Sequence, residues 1–209
     1  LDYGIFYEFV PMEQAHDPFP QALTLDEVEI GKNYAVVIST NGGLWRYRIG
    51  DTIRFTSLYP FRIQVSGRTK HFINVFGEEV MIDNAELALA RACEKSGAEV
   101  VDFTVAPEYM QAGKQGRHEW LIEFSKLPDS EEIFVETLDS ELRKINGDYD
   151  AKRYKDMALL LPRIRVAPVQ HFYNWLKSKG KLGGQHKVPR LSNSREYIEP
   201  MLAMIQSER

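Results

Sequence analysis

Three short stretches carry side chains whose type and placement could do chemistry. Tyr47-Arg48-Ile49-Gly50-Asp51 ends an apolar run with a carboxylate just after a glycine. A carboxylate at a strand end can accept hydrogen bonds from both hydroxyls of a ribose, and sheet rims are where small molecules are usually held. The same Asp51 could instead cap its own backbone in a turn. Gly67-Arg68-Thr69-Lys70 lies where the character of the chain changes. There Arg68 could act as a hinge residue, contact a nucleotide, or simply be a solvated base in a turn. Gly183-Gly184-Gln185-His186-Lys187-Val188-Pro189-Arg190 puts Lys187 on a glycine loop. An ammonium so carried can be delivered to a phosphate whose charge grows in a transition state; the plain alternative is a surface loop with scattered charge. His186 has no partner pattern and is assigned a structural role.

Other chemistries find less support. His118-Glu119 has no second histidine four residues on, as a zinc-binding helix would need. Asp148-Tyr149-Asp150 lacks the rest of a calcium loop. Neither a nucleophile elbow nor a Walker-type phosphate loop occurs, so no metal ligand is assigned. A net charge of -4 supplies no basic field for nucleic acid or an anionic membrane. No apolar run reaches the roughly 18 residues that span a bilayer. The single cysteine, Cys93, excludes an internal disulfide, fits a reducing compartment such as the cytoplasm, and is expected in the core.

These residues need elements to position them. Tyr3 to Met12, Thr24 to Glu29, Tyr34 to Ser39, Leu44 to Ile49, Thr52 to Phe55 and Phe61 to Val65 read as short strands. Asn41-Gly42-Gly43 supplies the positive φ that a tight hairpin needs, and Gly50 is expected to break the second strand beside Asp51. Beyond Lys70, helices alternate with strands. Asp83-Asn84-Ala85-Glu86 has the form of a capping box opening a helix to about Lys95. Val100 to Val105 and Trp120 to Phe124 read as strands around a Gly113-Lys114-Gln115-Gly116 loop. Ser130 to Ile145 reads as a helix with Ile133, Phe134, Leu138, Leu142 and Ile145 on one face. Arg163 to Ala167 is a strand; Pro168 opens a helix with Val169, Phe172, Tyr173 and Leu176 inward; Pro200 opens the last helix.

The order of the three stretches resembles the C-terminal part of an adenylate-forming ligase. Finer matches resemble one branch, the auxin-responsive acyl acid–amido synthetases of plants and their bacterial relatives. They are Phe6-Tyr7-Glu8-Phe9-Val10-Pro11, Gly43 to Asp51, Arg163-Ile164-Arg165-Val166 and Gln185 to Arg190. The spacing of the strands suggests an α+β protein with a small antiparallel barrel or sandwich over 1–66, a hinge at 67–70 and an α+β domain over 71–209. The resemblance implies a barrel-like β subdomain and makes the second domain a mobile α/β cap that rotates about the hinge. It implies that Asp51 holds the adenylate ribose with Tyr47 beside the nucleotide, that Arg68 lies near the nucleotide at the hinge, and that Lys187 meets the α-phosphate. It implies ATP and Mg²⁺ as cofactors, a small carboxylic acid and an amino acid as substrates, and no nucleic acid or membrane partner. The family's phosphate loop and adenine-side motif would lie upstream of Leu1, so the chain is expected to be a piece of a longer protein, inactive alone. Phe72 to Val80 is closer to the superfamily's general pattern after the hinge, which keeps an acyl-CoA ligase open. A non-catalytic binding protein on the same scaffold is the other alternative.

Overall fold

The short Asn41-Gly42-Gly43 segment folds the chain back on itself, with Gly43 at a φ of +96° and the Thr40 amide donating to the Leu44 carbonyl at 2.8 Å. In the computed structural model, residues 4–15, 17–69, 72–110, 115–156, 158–181 and 187–207 are described. The chain divides into two compact units, Leu1–Lys70 and His71–Arg209. No helix among the described residues is long and apolar enough to cross a membrane.

The first unit is an antiparallel sheet of β1 (Ile5–Pro11), β2 (Asn33–Thr40), β3 (Tyr47–Leu58) and β4 (Phe61–Arg68), in that spatial order. Its core is Phe9, Tyr34, Val36, Ile53 and Phe55, with Phe9 and Phe55 meeting edge to face at 5.1 Å. Edge-to-face packing sets the positive rim of one ring against the negative face of the other. Leu23 and Val28 close over this core, and Leu23 exchanges backbone hydrogen bonds with Phe9. Two expectations are corrected. The strands form an open sheet rather than a closed barrel, with β1 and β4 as its edges among the described residues. The stretch Thr24 to Glu29 is a turn and not a strand, because the Thr24 hydroxyl donates to Asp26 at 2.6 Å and to Glu27 at 2.8 Å. Such local side-chain bonds compete with a ladder and win where no neighbouring strand is in reach.

The second unit opens with a two-stranded ribbon, β5 (Phe72–Ile73) and β6 (Val80–Met81), and continues into α1 (Ile82–Ser96). Then follow β7 (Glu99–Tyr109), β8 (Gly116–Lys126), α2 (Glu131–Ile145), α3 (Gly147–Arg153), β9 (Arg163–Ala167), α4 (His171–Ser178) and α5 (Ile198–Ser207). The sheet runs β7-β8-β9, antiparallel between the first pair and parallel between the second. Central β8 is covered on both faces, since Trp120, Ile122 and Phe124 pack with α1, α2 and α3 while Leu121 packs with α4 and α5. A strand buried on two sides reads as a continuous apolar run, which is why Trp120-Leu121-Ile122 shows no polar alternation.

Three helix starts show what sequence pattern resolves and what it leaves to the fold. Ser130 caps α2 as its type and place predict, accepting from the Ile133 amide. α1 begins one residue before the expected box, with the Asn84 side chain accepting from the Met81 amide at 3.2 Å, so Asp83 lies inside the first turn. α4 begins at His171 rather than Pro168, because the buried Glu123 carboxylate accepts from the Gln170 and Phe172 amides at 2.7 and 3.2 Å. That shift turns His171, Phe172 and Trp175 inward and leaves the expected core residues Val169 and Tyr173 exposed. Cys93, expected in the core, is half-buried at its margin, and burial pushes its thiol pKa up.

Candidate functional site

Strand β3 does not stop at Gly50; it runs on through Asp51 to Leu58. Opposite it, two steps of β2, from Val37 to Ala35, match four steps of β3, from Arg48 to Thr52. The extra residues form a bulge, and Gly50 makes it possible with a φ of +89°, which a residue bearing Cβ adopts only under strain. Asp51 is therefore a mid-strand residue beside a bulge, and not the strand-end carboxylate expected. The Thr69 amide donates to the Gly50 carbonyl at 2.8 Å and so carries the β3–β4 pairing past the bulge.

On the β4 side the ladder places Asp51 directly opposite Arg68. Arg68 Nε donates to Asp51 Oδ1 at 3.0 Å, with the two side chains 65% and 38% exposed. An ion pair this exposed contributes at most about 1 kcal/mol to stability, so its effect is orientation. Tyr47 lies four residues before Asp51 and is exposed, as are Leu44, Trp45 and Ile49, and β3 begins at Tyr47 rather than at Leu44 as expected. Arg48 acts on the frame instead. Its guanidinium donates to the carbonyls of Ala15 and Asp17 at 3.0 and 3.3 Å and ties β3 to the loop beyond β1.

The second unit carries Lys187. The glycine loop before it, with His186, lies outside the described residues, as do Lys70 of the 67–70 stretch and Gly113-Lys114 of the loop between β7 and β8. Lys187 is exposed, but the chain after it is tightly held. Val188 is buried among α4 and α5, and Leu191 is buried in the layer on the opposite face of the sheet. Between them, Thr104 Oγ1 donates to the Pro189 carbonyl at 2.7 Å and the Val105 amide to the Arg190 carbonyl at 2.8 Å. The Arg190 guanidinium pairs with Glu86 and lies 3.7 Å from Asp102 and 5.2 Å above the Phe103 ring. It forms one wall of a groove of about 510 Å³ between α1 and the start of β7, lined also by Leu89, Cys93 and Val101. Burial pushes the Asp102 carboxyl up, against the hydrogen bond from the Phe103 amide and the positive charges of Arg190 and Lys187.

Buried charges hold the frame around these residues. His118 and Glu119 are neighbours on β8 and point to opposite faces of the sheet. His118 Nε2 meets Glu78 Oε1 at 2.9 Å, both fully buried, while Glu119 is clasped by Arg165 at 2.8 Å and Arg195 at 2.7 Å. Glu78 also accepts from the Phe76 amide at 2.6 Å and so pins the Asn74–Glu79 loop to the sheet. None of these pairs is visible in sequence spacing, because each joins residues dozens of positions apart.

Comparison with known proteins agrees with the resemblance in the sequence. Residues 83–196 match the GH3 family C-terminal domain and residues 1–68 the GH3 family central domain. The chain is similar to the indole-3-acetic acid-amido synthetase GH3.3 of Arabidopsis thaliana, 26% identical over 198 residues that cover 88% of this chain and 33% of the relative. It is also similar to the jasmonoyl-L-amino acid synthetase GH3.5 of Oryza sativa subsp. japonica, 28% identical over 208 residues covering 90% and 35% respectively. The chain thus spans about a third of the length of these curated relatives. In fold it is similar to the solved structure of GH3.15 acyl acid amido synthetase, with a TM-score of 0.66 at 22% identity over 95% of this chain and 36% of that one. With family domains matched in both of its units, the chain belongs to the GH3 family.

Proposed function

We propose that this chain is the C-terminal part of an ATP-dependent ligase that joins a small carboxylic acid to an amino acid. Membership of the GH3 family across both units carries this reading, since the relatives named above are amido synthetases. In the first step a carboxylate oxygen of the acid attacks the α-phosphorus of ATP, the bond to the β-phosphate breaks, and pyrophosphate leaves. In the second, the amino acid nitrogen attacks the acyl carbonyl, the C–N bond forms, the bond to AMP breaks and the amine proton passes to solvent.

The chain's residues fit parts of this reaction. The Asp51 carboxylate is reachable from solvent and its Oδ1 is held by Arg68, so it is oriented to accept ribose hydroxyls. Tyr47 is an exposed ring on the same strand and suits a place beside the nucleotide. Lys187 projects from an anchored segment and suits a phosphate whose charge builds as pyrophosphate departs. Mg²⁺ bound with the triphosphate would neutralise part of its charge; no residue of this chain is assigned to it. In this reading 1–66 completes a larger nucleotide-binding domain, 67–70 is the hinge, and 71–209 is a cap that brings Lys187 to the phosphate. The remaining wall of the ATP site and the acid pocket belong to sequence outside this chain, so the chain alone is inactive.

The test is pyrophosphate release by the full-length protein across a panel of carboxylic acids, followed by addition of amino acids or of coenzyme A. Amide formed without coenzyme A supports the amido synthetase. Thioester formed only with coenzyme A moves the protein to the acyl-CoA ligases. If no acid releases pyrophosphate, or if Asp51→Ala and Lys187→Ala both leave the rate unchanged, the enzymatic reading is wrong and the scaffold serves binding.

A further inference from the structure

We propose that Arg190 and Asn193 are positioning residues for Lys187, Arg190 clamping the lysine segment to α1 and β7 and Asn193 clamping it to the first strand of its unit, so that the segment moves with that unit as one body. The inference rests on the adenylation reading above and names residues that reading does not use.

A lysine that must meet a phosphate in a transition state gains nothing from a wandering backbone. A misplacement of about 1 Å can cost two orders of magnitude in rate. The segment after Lys187 is fixed in three directions. Its backbone adds to the edge of β7, with the Val105 amide donating to Arg190 and the Ser192 amide to the Val105 carbonyl at 2.8 and 3.0 Å. Its apolar side chains alternate into the two layers, Val188 on one face of the sheet and Leu191 on the other. The Arg190 side chain then spans from α1 to β7 through Glu86, Asp102 and the Phe103 ring. A guanidinium suits this place because its planar fork meets two carboxylates while stacking on a ring.

Asn193 adds the connection that matters for movement. Its side-chain amide donates to the Phe72 carbonyl at 3.1 Å, and its Oδ1 accepts from the Asn74 amide at 2.8 Å. Both partners belong to the first strand of the second unit or its continuation, only a few residues beyond the proposed hinge at 67–70. The two side-chain hydrogen bonds therefore tie the lysine segment straight to the strand nearest the proposed hinge, across roughly 115 residues of intervening chain, in addition to its packing on β7. Asparagine is needed here because one side chain must both donate and accept; aspartate supplies only acceptors.

The experiment uses the full-length protein and measures the half-reactions separately, as pyrophosphate release from acid and ATP, and as AMP release from a chemically synthesised acyl-adenylate plus amine. Arg190→Ala and Asn193→Ala are each expected to lower kcat for adenylation by about tenfold or more, with the KM for ATP changed less than about threefold. AMP release from supplied adenylate stays within about twofold of wild type. Glu86→Gln and Thr104→Val, milder changes that spare the fold, are expected to give about threefold losses in the same half-reaction only. Each variant combined with Lys187→Ala is expected to lose nothing beyond Lys187→Ala itself, since the clamp acts through that lysine. Equal losses in both half-reactions, multiplication with Lys187→Ala, or an unchanged adenylation rate would each overturn the inference while leaving the adenylation reading intact. A wild-type protein that releases no pyrophosphate with any acid overturns that reading, and this inference with it.

Discussion

Asp51 and Arg68 stand directly opposite each other on β3 and β4, and their side chains meet at 3.0 Å. They are 17 positions apart in the chain, and only the strand ladder brings them together. Because the pair is largely exposed, its removal should hardly move the melting temperature, while the ribose-binding role proposed for Asp51 predicts a binding defect. In the full-length protein, Asp51→Ala is expected to raise the KM for ATP by about tenfold to a hundredfold, the range for losing charge-assisted hydrogen bonds. Arg68→Ala is expected to give a smaller increase, because the carboxylate remains but is no longer oriented. Pyrophosphate release against ATP concentration, with a thermal melt beside it, checks both.

The buried Glu78–His118 pair predicts an acid limit to stability. Burial alone would raise the Glu78 carboxyl, but the hydrogen bond and charge of His118, with the backbone amides of Glu78 and Phe76, outweigh it and leave the pKa below its ordinary value of 4.5. A depressed carboxylate stabilises the fold above that ordinary value, and the contribution is lost as pH falls through the lower, folded value. Urea midpoints should therefore decline below about pH 4.5. Glu78→Gln should flatten that part of the decline while lowering stability at neutral pH. A decline of the same steepness in the variant would assign it to other carboxylates, of which Glu119, also held below its ordinary value despite burial, is the first to test.

Asp139 joins two helices through one carboxylate. It accepts from the Tyr149 hydroxyl at 2.8 Å and from Arg153 at 2.7 and 3.1 Å, all buried between α2 and α3. Desolvation, with the neighbouring Asp139 charge, pushes the Tyr149 hydroxyl well above the ordinary range, so it remains a donor at any working pH. Asp139→Ala leaves a buried guanidinium without its carboxylate and should destabilise by about 3–5 kcal/mol. Tyr149→Phe removes one hydrogen bond and should cost only about 1–2 kcal/mol. Denaturant unfolding with an unchanged m-value checks the ranking.

Gly116 tolerates no side chain. A Cβ there would come within 2.1 Å of the Phe76 ring and 2.7 Å of the Glu108 carbonyl. The Phe76 ring can swing away but the β7 backbone cannot, so Gly116→Ala should destabilise by about 1–3 kcal/mol through overpacking. Phe76→Leu on top of it should recover part of that loss, which a thermal-melt comparison of single and double variants resolves.

What the sequence determines by itself is whatever neighbours within a few residues decide. The Asn41-Gly42-Gly43 turn, the Ser130 cap with the apolar face of α2, and the strand Arg163–Ala167 all stand as the local pattern predicts. The family, too, is legible in the order of short motifs, and the comparisons agree with it. Tertiary structure decides what depends on distant partners. Gly50 reads as a strand break, yet pairing with β2 and β4 on either side carries β3 through it as a bulge. Pro168 reads as a helix start, yet a carboxylate from β8 moves the start to His171. Arg190 reads as one more base in a loop, yet α1 and β7 converge to hold it. In each case the free energy comes from contacts between residues tens of positions apart, and local propensities of a few tenths of a kcal/mol per residue cannot oppose them.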